Sequence, residues 1–280
     1  SKEEKVTKAD GSSDAKVTYA DGTYSIIADD GKGTVTTTNY TADGKVTSEV
    51  KSVDVAPQDG NPETVVTKTP NTDGTSTEVT QLDPNSDGKV DQVITEVKDA
   101  DGKVLSRTEE TTTVNADGST TTVTKEDKDA DGTPEKVTSV TEYPNGNTQT
   151  VVSEDTDDSG SVDKVTTENR DADGNLLSRT EETVTQNEDG STTTVTKKDV
   201  DGDGVVDETT TETVNKDGSS TTVTEKDTDG DGKPDETTTS ETTPPAEDGS
   251  VTTVTTLPNG NIATTVTEKA DADGNVKSVT

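Results

Sequence analysis

Residues 187–207 read NEDGSTTTVTKKDVDGDGVVD, and they contain the three components from which most of the chain is built. The first is a short turn, Asn-Glu-Asp-Gly, in which glycine can supply the positive φ that a tight hairpin needs. The second is a run of threonine and valine, which favour a pleated, half-buried surface. The third is a longer acidic segment in which aspartate alternates with other residues around a glycine. We therefore expect turn, strand and acidic loop to recur along the chain.

The turn glycines recur at a regular interval. From Gly60 to Gly232 their spacing is 14 or 16 residues, which indicates a repeat protein. A 14-residue unit leaves about eight or nine residues of strand, about 27 to 30 Å in length. Valine lies five residues after the glycine in many units, for example Val195 and Val223, and these valines are predicted to line up in rows. No helical periodicity is present. The predicted fold class is all-β: an elongated repeat of β-hairpins, either a thin meandering sheet or a β-solenoid.

The composition excludes a thick hydrophobic core. Hydrophobic residues make up 22% of the 280 positions, aromatic residues 1%, and Phe, Trp, Met and Cys are absent. So little apolar surface cannot offset about 1 to 2 kcal/mol of backbone ordering entropy per residue, so another ordering agent is needed. The formal net charge of −35 opposes binding to nucleic acid and to anionic membranes. No apolar run of about 20 residues is present, so membrane insertion is not expected either.

Five acidic segments place oxygen-bearing side chains at loop positions 1, 3, 5 and 9 around a glycine at position 6. They are loop 1 (83–91), loop 2 (127–135), loop 3 (155–163), loop 4 (199–207) and loop 5 (227–235). Calcium takes six to eight oxygen ligands, and alternate side chains of a tightly curled loop converge on its inside. The predicted ligands are Asp83, Asn85, Asp87 and Asp91; Asp127, Asp129, Asp131 and Glu135; Asp155, Asp157, Ser159 and Asp163; Asp199, Asp201, Asp203 and Asp207; and Asp227, Asp229, Asp231 and Asp235.

These segments resemble the aspartate-rich calcium loops of thrombospondin type 3 repeats, dockerins and EF-hand proteins. The resemblance implies that the matching residues bind Ca²⁺, and hence that the turns of this β-repeat are calcium-binding turns. An EF-hand also has a bidentate glutamate at loop position 12 and flanking helices. Position 12 is here Ile94, Thr138, Thr166, Thr210 and Thr238. We therefore expect loops between strands, with lower affinity or with an outside ligand completing the shell.

The alternative for any one loop is a solvated acidic turn without metal. Five copies in register with the 14-residue repeat favour metal binding, and bound calcium would neutralise about ten of the negative charges. Weaker acidic turns occur at 99–102, 171–174 and 271–274, with only half of the ligands. These three are predicted to be ordinary turns.

A second resemblance concerns the hairpins. Residues 170–180 (RDADGNLLSRT), followed by 188–196 (EDGSTTTVT), resemble the YD or Rhs repeats of bacterial surface and toxin proteins. This chain lacks their recurrent Tyr-Asp, so the resemblance implies hairpins in series and not a toxin-enclosing shell. The array is predicted over 45–280. Residues 1–44, with shorter turn spacing and three of the four tyrosines, are predicted to be an N-terminal cap or contact β segment.

A longer repeat overlies the short one, because residues 105–111 (LSRTEET) recur at 177–183. The glycines at position 6 of the five loops are separated by 44, 28, 44 and 28 residues. In a meander, successive turns lie at opposite ends of the strands, so a 44-residue step moves the loop to the other end and a 28-residue step keeps it at the same end. In a two-sided solenoid of 28 residues per coil, the loops would stack instead.

The functional expectation is structural. The chain has no His, Cys, nucleophile elbow or phosphate-binding loop, so an enzyme is not expected. Loops of this type commonly need about 10⁻⁴ to 10⁻³ M calcium, a concentration found outside cells, which predicts an extracellular or cell-surface location. We expect a secreted calcium-binding stalk, or a subunit of a bacterial adhesin, filament or matrix fibre that self-associates. The alternatives are a Thr-rich sheet that binds ice or carbohydrate, and an acidic protein that binds calcium mineral.

Overall fold

The structure is a computed structural model that describes residues 1–54, 62–268 and 277–279. These residues form 21 β-strands and no helix, which confirms the all-β prediction. They therefore include no helix long and apolar enough to cross a membrane. The chain divides into two compact units, Ser1–Thr138 and Ser139–Thr280. The predicted turn at 271–274 lies outside the described residues.

The first unit is an antiparallel meander in which each strand from β1 to β10 pairs with the next one along the chain. Its strands are β1 Lys2–Thr7, β2 Ser13–Thr18, β3 Tyr24–Asp29, β4 Thr34–Tyr40, β5 Val46–Val53, β6 Thr64–Pro70, β7 Ser76–Leu82, β8 Gln92–Lys98, β9 Val104–Val114 and β10 Thr120–Asp127. The boundary between the units falls within β11, Lys136–Glu142.

The second unit is also an antiparallel meander, with sequential pairing from β12 to β21. Its strands are β12 Thr148–Glu154, β13 Lys164–Arg170, β14 Leu176–Gln186, β15 Thr192–Asp199, β16 Glu208–Val214, β17 Ser220–Lys226, β18 Glu236–Thr242, β19 Val251–Thr256, β20 Ile262–Thr267 and β21 Ser278–Val279. Of the two predicted arrangements, both units therefore adopt the meander and not the solenoid.

The plain turns share one geometry, seen at residues 115–119. Asn115 N donates to Ser119 O at 2.8 Å and Gly118 N donates to Asn115 O at 3.0 Å, with Gly118 at a φ of 83°. Asp117 Oδ1 accepts bonds from both Ser119 N (3.0 Å) and Ser119 Oγ (2.7 Å). The same two backbone bonds close the turns that begin at Lys8, Tyr19, Thr41, Asn71, Asp99, Tyr143, Asp171, Asn187, Asn215, Ala246 and Leu257. The weaker acidic segments at Asp99 and Asp171 are thus ordinary turns, as predicted.

The sheet has almost no buried apolar core. Ala15, at 8% exposure, is the one buried hydrophobic residue within the described ranges. Elsewhere, half-buried threonine and valine alternate across strands: Val195 pairs with Thr211, which also pairs with Val223. The low hydrophobic content of the chain is therefore reflected directly in a sheet that buries few side chains.

The predicted rows of valine are wrong in one respect, because valines at the same offset from the glycine lie on both faces. Directly paired residues share a face. The residue pairs followed from β12 to β17 place Val151 on the same face of the sheet as Lys226. Val223 lies three residues before Lys226, and since successive side chains alternate between faces, it lies on the opposite face. The register shift between Asn169 and Arg170 causes the change, since one extra residue moves the following side chains to the opposite face.

The tyrosines of the N-terminal segment form a small cluster. Tyr24 and Tyr40 pair across β3 and β4, with ring centroids 4.7 Å apart in a stacked arrangement, and Lys16 Nζ lies 4.1 Å from the Tyr24 ring centroid. The predicted boundary at residue 44 lies in the turn between β4 and β5, which pair like the other hairpins. The role of residues 1–44 as a cap or contact segment stays a prediction.

Candidate metal sites

The acidic loops connect consecutive strands, and the order of the strands decides which loops are neighbours. In the first unit, loop 1 follows β7 and loop 2 follows β10, so they lie at opposite ends of the strands. In the second unit, loop 3 follows β12 and lies at one end, whereas loops 4 and 5 follow β15 and β17 and lie together at the other. Within each unit the loops thus follow the predicted rule for 44- and 28-residue steps.

The first aspartate of every loop is buried, with an exposure between 5% and 9%. These residues are Asp83, Asp127, Asp155, Asp199 and Asp227. In each loop, Oδ2 of this aspartate accepts the N–H of the glycine at position 6. The bond length is 2.8 Å in loop 1, 3.0 Å in loop 2, 2.6 Å in loop 3, 2.9 Å in loop 4 and 2.6 Å in loop 5. The glycines adopt φ values between 81° and 99°, a region that other residues rarely enter.

The side chain at position 3 curls the middle of each loop. Its Oδ1 accepts the N–H of the residue at position 5, at distances from 2.9 to 3.2 Å. In four loops, Oδ1 of the aspartate at position 5 likewise accepts the N–H at position 7. An ionised carboxylate has about four lone-pair sites on two oxygens, so these bonds leave acceptor capacity for a cation.

The carboxylate at position 9 closes the loop by a contact that the sequence pattern did not reveal. In four loops it accepts the backbone N–H of position 2: from Lys128, Thr156, Val200 and Thr228. Loop 1 has Pro84 at position 2, which has no N–H to donate. Asn85 Nδ2 donates to Asp91 Oδ2 there instead, at 3.1 Å. A proline at position 2 is the sequence signal that distinguishes loop 1.

Four loops bring three carboxylates together, each with an oxygen within 4.8 Å of the other two. These groups are Asp127, Asp129 and Glu135; Asp155, Asp157 and Asp163; Asp199, Asp201 and Asp203; and Asp227, Asp229 and Asp235. Oxygens on opposite sides of one calcium ion, each about 2.3 to 2.6 Å from it, are about 5 Å apart, so the groups have a suitable size. The other predicted ligands lie outside these groups: Asp83, Asn85, Asp87, Asp91, Asp131, Ser159, Asp207 and Asp231.

Loop 2 contains a buried oxygen without a donor. Asp127 Oδ1 makes no hydrogen bond with any described residue, while Oδ2 of the same side chain accepts from Gly132 N. A buried, unpaired carboxylate oxygen is unfavourable unless a cation or another donor compensates it. The residues present therefore suit a cation bound through oxygen.

The hydrogen bonds of the loops favour ionised carboxylates. Burial by itself would raise the pKa of Asp155, but the hydrogen bonds from Gly160, Ser159 and Asp157 together outweigh it and hold the pKa below its ordinary value. The pKa of Asp227 is lowered in the same way, against burial, chiefly by the N–H groups of Gly232 and Gly230. Both groups are therefore negatively charged at neutral pH and ready to bind a cation.

Comparison with known proteins adds no relative to this description. No family model matches the sequence, and no curated protein matches it significantly. The candidate sites are thus defined by their own geometry: clustered carboxylates in loops between antiparallel strands, which could hold a metal ion.

Proposed function

We propose that this chain is a secreted structural protein whose β-repeat is clamped by Ca²⁺ in its acidic loops. It would serve as a rigid stalk, or as a subunit of an adhesin, filament or matrix fibre, at a bacterial surface. The observation that carries the proposal is the buried first aspartate of each loop, which in four loops has two further carboxylates beside it.

The chemistry of the donors supports calcium among the common metals. The chain has no His, Cys or Met, so the nitrogen and sulfur ligands that zinc and copper prefer are missing. Oxygen ligands suit Ca²⁺ and Mg²⁺. Calcium accepts six to eight ligands in flexible geometry, whereas magnesium demands a near-ideal octahedron and retains several waters. Nine-residue loops rich in carboxylates and carbonyls therefore match calcium better.

A bound ion would connect two strands directly. In loop 3, Asp155 follows the last residue of β12 and Asp163 precedes the first residue of β13, and both belong to the same carboxylate group. An ion shared by them would fix the register of this strand pair. Because a metal that binds the folded state alone stabilises it, calcium would add ordering free energy that the small apolar area does not supply.

The edge strand β1 offers a surface through which chains could associate. The strand β1 pairs with β2, and all six of its residues, KEEKVT, are exposed. A strand at the edge of a sheet can pair with another chain, although charged side chains on it limit unspecific pairing. Self-association into a fibre would use such an edge, and sedimentation velocity in calcium would detect it. The extracellular location follows from the calcium concentration that such loops commonly need.

The test is circular dichroism together with the hydrodynamic radius of the whole chain, first in excess EDTA and then in millimolar calcium. We expect less β structure and a lower stability in EDTA than in calcium, with a much smaller effect of magnesium. A matched control replaces the first aspartate of all five loops by asparagine, which should abolish the response. An equally β-rich chain in EDTA would refute calcium as the organising force.

A further inference from the structure

We propose that loop 2 is the first of the five loops to bind calcium, because its buried oxygen Asp127 Oδ1 accepts no hydrogen bond from the described residues. This inference rests on the proposed function and adds an order of binding to it. It concerns Asp127, Asp129 and Glu135, whose carboxylates each place an oxygen within 4.8 Å of the other two.

The corresponding oxygen is occupied in the other four loops. Oδ1 of Asp199 accepts the N–H of Gly202 at 2.6 Å, and Oδ1 of Asp227 accepts that of Gly230 at 2.8 Å. In loops 1 and 3 the donor is the N–H at position 5, at 3.3 Å to Asp83 Oδ1 and 3.1 Å to Asp155 Oδ1. Among the described residues, no donor reaches Asp127 Oδ1.

The residue at position 4 separates loop 2 from loops 4 and 5. Loop 2 has Ala130 there, with a φ of 59°, whereas Gly202 and Gly230 adopt 78° and 75°. The two glycines donate their N–H to the first aspartate, and Ala130 makes no such bond. Loops 1 and 3 resemble loop 2 at position 4, where Ser86 and Asp158 have φ values of 55° and 58°, but in both of them the N–H of position 5 reaches Oδ1. In loop 2 the N–H of position 5 bonds to Asp129 Oδ1, and Asp127 Oδ1 has no donor among the described residues.

The rest of loop 2 is already organised around this oxygen. Asp129 Oδ1 accepts from Asp131 N at 3.1 Å, and Glu135 Oε2 accepts from Lys128 N at 2.8 Å. A cation entering loop 2 therefore meets a formed loop and compensates a buried negative oxygen. In the other loops it shares Oδ1 with an existing hydrogen bond, so the gain on binding is smaller.

The experiment is a stepwise calcium titration of the full chain, followed by the backbone amide resonances in ¹H–¹⁵N spectra. The N–H of Gly88, Gly132, Gly160, Gly204 and Gly232 bonds to the first aspartate of its own loop, and so reports on that loop. We expect the Gly132 resonance to complete its change first, by about one equivalent of calcium, with a dissociation constant at least about tenfold below the others.

Two variants and their control locate the effect. Asp127→Asn should remove the tightest binding step and leave the remaining steps in place, whereas the matched change Asp199→Asn in loop 4 should leave the tightest step unchanged. Glu135→Gln, at a less buried position, tests the same site if Asp127→Asn impairs folding, and should weaken the tightest step at least about tenfold.

The outcomes separate this inference from the proposed function. If Gly132 changes together with or after any of the other four glycines, the order of binding is refuted while calcium binding stands. If none of the five resonances changes up to millimolar calcium, the proposed function itself fails.

Discussion

The backbone N–H of Asp227 donates a 2.9 Å hydrogen bond to the carbonyl oxygen of Asp207. This bond joins the last predicted ligand residue of loop 4 to the first of loop 5, at the same end of the strands. The Asp207 carboxylate accepts the N–H of Val200 in loop 4, so a cation that orders loop 4 would also order Asp207 and restrain the residue that begins the next site. In the second unit, loop 3 lies at the opposite end of the strands and has no such connection to loop 5 within the described residues.

Binding at loops 4 and 5 should consequently be coupled. We expect Asp199→Asn to weaken calcium binding at loop 5, reported by the Gly232 amide resonance, about fivefold or more, corresponding to a coupling free energy of about 1 kcal/mol. Asp155→Asn in loop 3 is the matched control and should leave loop 5 unaffected. Equal effects of the two variants on the Gly232 titration would contradict the coupling.

Asn85 makes loop 1 different from the other loops, and Asn85→Asp should change its stability in opposite directions with and without calcium. The change replaces the amide that donates to Asp91 by a carboxylate that repels it. In EDTA we expect a loss of about 1 kcal/mol, the size of a repulsion between two charges at about 4 Å in water. In calcium, the added negative ligand should raise the affinity of loop 1 at least about fivefold. Urea unfolding in EDTA and in calcium measures the change in the free energy of unfolding in each condition. A variant destabilised equally in both would count against metal binding at loop 1.

Gly202 and Gly230 occupy position 4 of neighbouring loops but have different surroundings. A Cβ on Gly202 would meet the carbonyl oxygen of Leu176 and lie 2.6 Å from its carbonyl carbon, whereas a Cβ on Gly230 has no atom within 4 Å. Gly230→Ala should lower the free energy of unfolding by about 1 kcal/mol, because alanine would have to adopt the left-handed backbone conformation. Ala130 adopts this conformation in loop 2. Gly202→Ala should cost at least about 2 kcal/mol more, because the backbone of β14 must move. The free energies of unfolding of the two variants test this, and similar losses would show that loop 4 does not pack on Leu176.

The plain turns should be sensitive to acid through their aspartates. The pKa of Asp217 is lowered by the Ser219 hydroxyl, which donates at 2.7 Å, and by the Ser219 N–H. Since the folded pKa lies below the unfolded value of about 3.9, this bond contributes stability above that pH and loses it as the pH falls through the folded pKa.

The variant Ser219→Ala should therefore be less stable than the original chain at pH 6, and the difference should shrink below about pH 4. Ser219→Thr keeps the hydroxyl, as Thr75 does beside Asp73, and serves as the control. NMR titration of the Asp217 carboxyl should show its pKa rising in Ser219→Ala but not in Ser219→Thr. An unchanged pKa in the alanine variant would refute the role of the hydroxyl.

The sequence predicted the strands, the turns and the ends at which the loops lie, because these features depend on local properties. A glycine after aspartate or asparagine marks each turn. The number of strands between two turns decides whether the turns lie at the same end of the strands or at opposite ends. The faces of the valines were not predictable in this way. Val151 and Val223 have the same offset from their glycines, but a register shift beside Arg170 separates them.

The candidate sites were also predictable only in part. The alternation of aspartates predicts which side chains are near one another, since it follows the curl of the loop. It does not show that Asp127 Oδ1 lacks a donor, because similar loops place the N–H of position 5 within reach of this oxygen in loops 1 and 3 but not in loop 2. Nor does it show that the position 9 carboxylate binds the N–H of position 2, a contact that depends on the folded path of the loop.

The most direct test of calcium binding is equilibrium dialysis of the whole chain against radioactive calcium at millimolar concentration, at neutral pH and about 0.15 M salt. The account predicts saturable binding of about five ions per chain. It also predicts the loss of about one ion when the first aspartate of any single loop is replaced by asparagine. Binding of fewer than about one ion, or diffuse binding that disappears in 1 M salt and is unchanged by these substitutions, would contradict it.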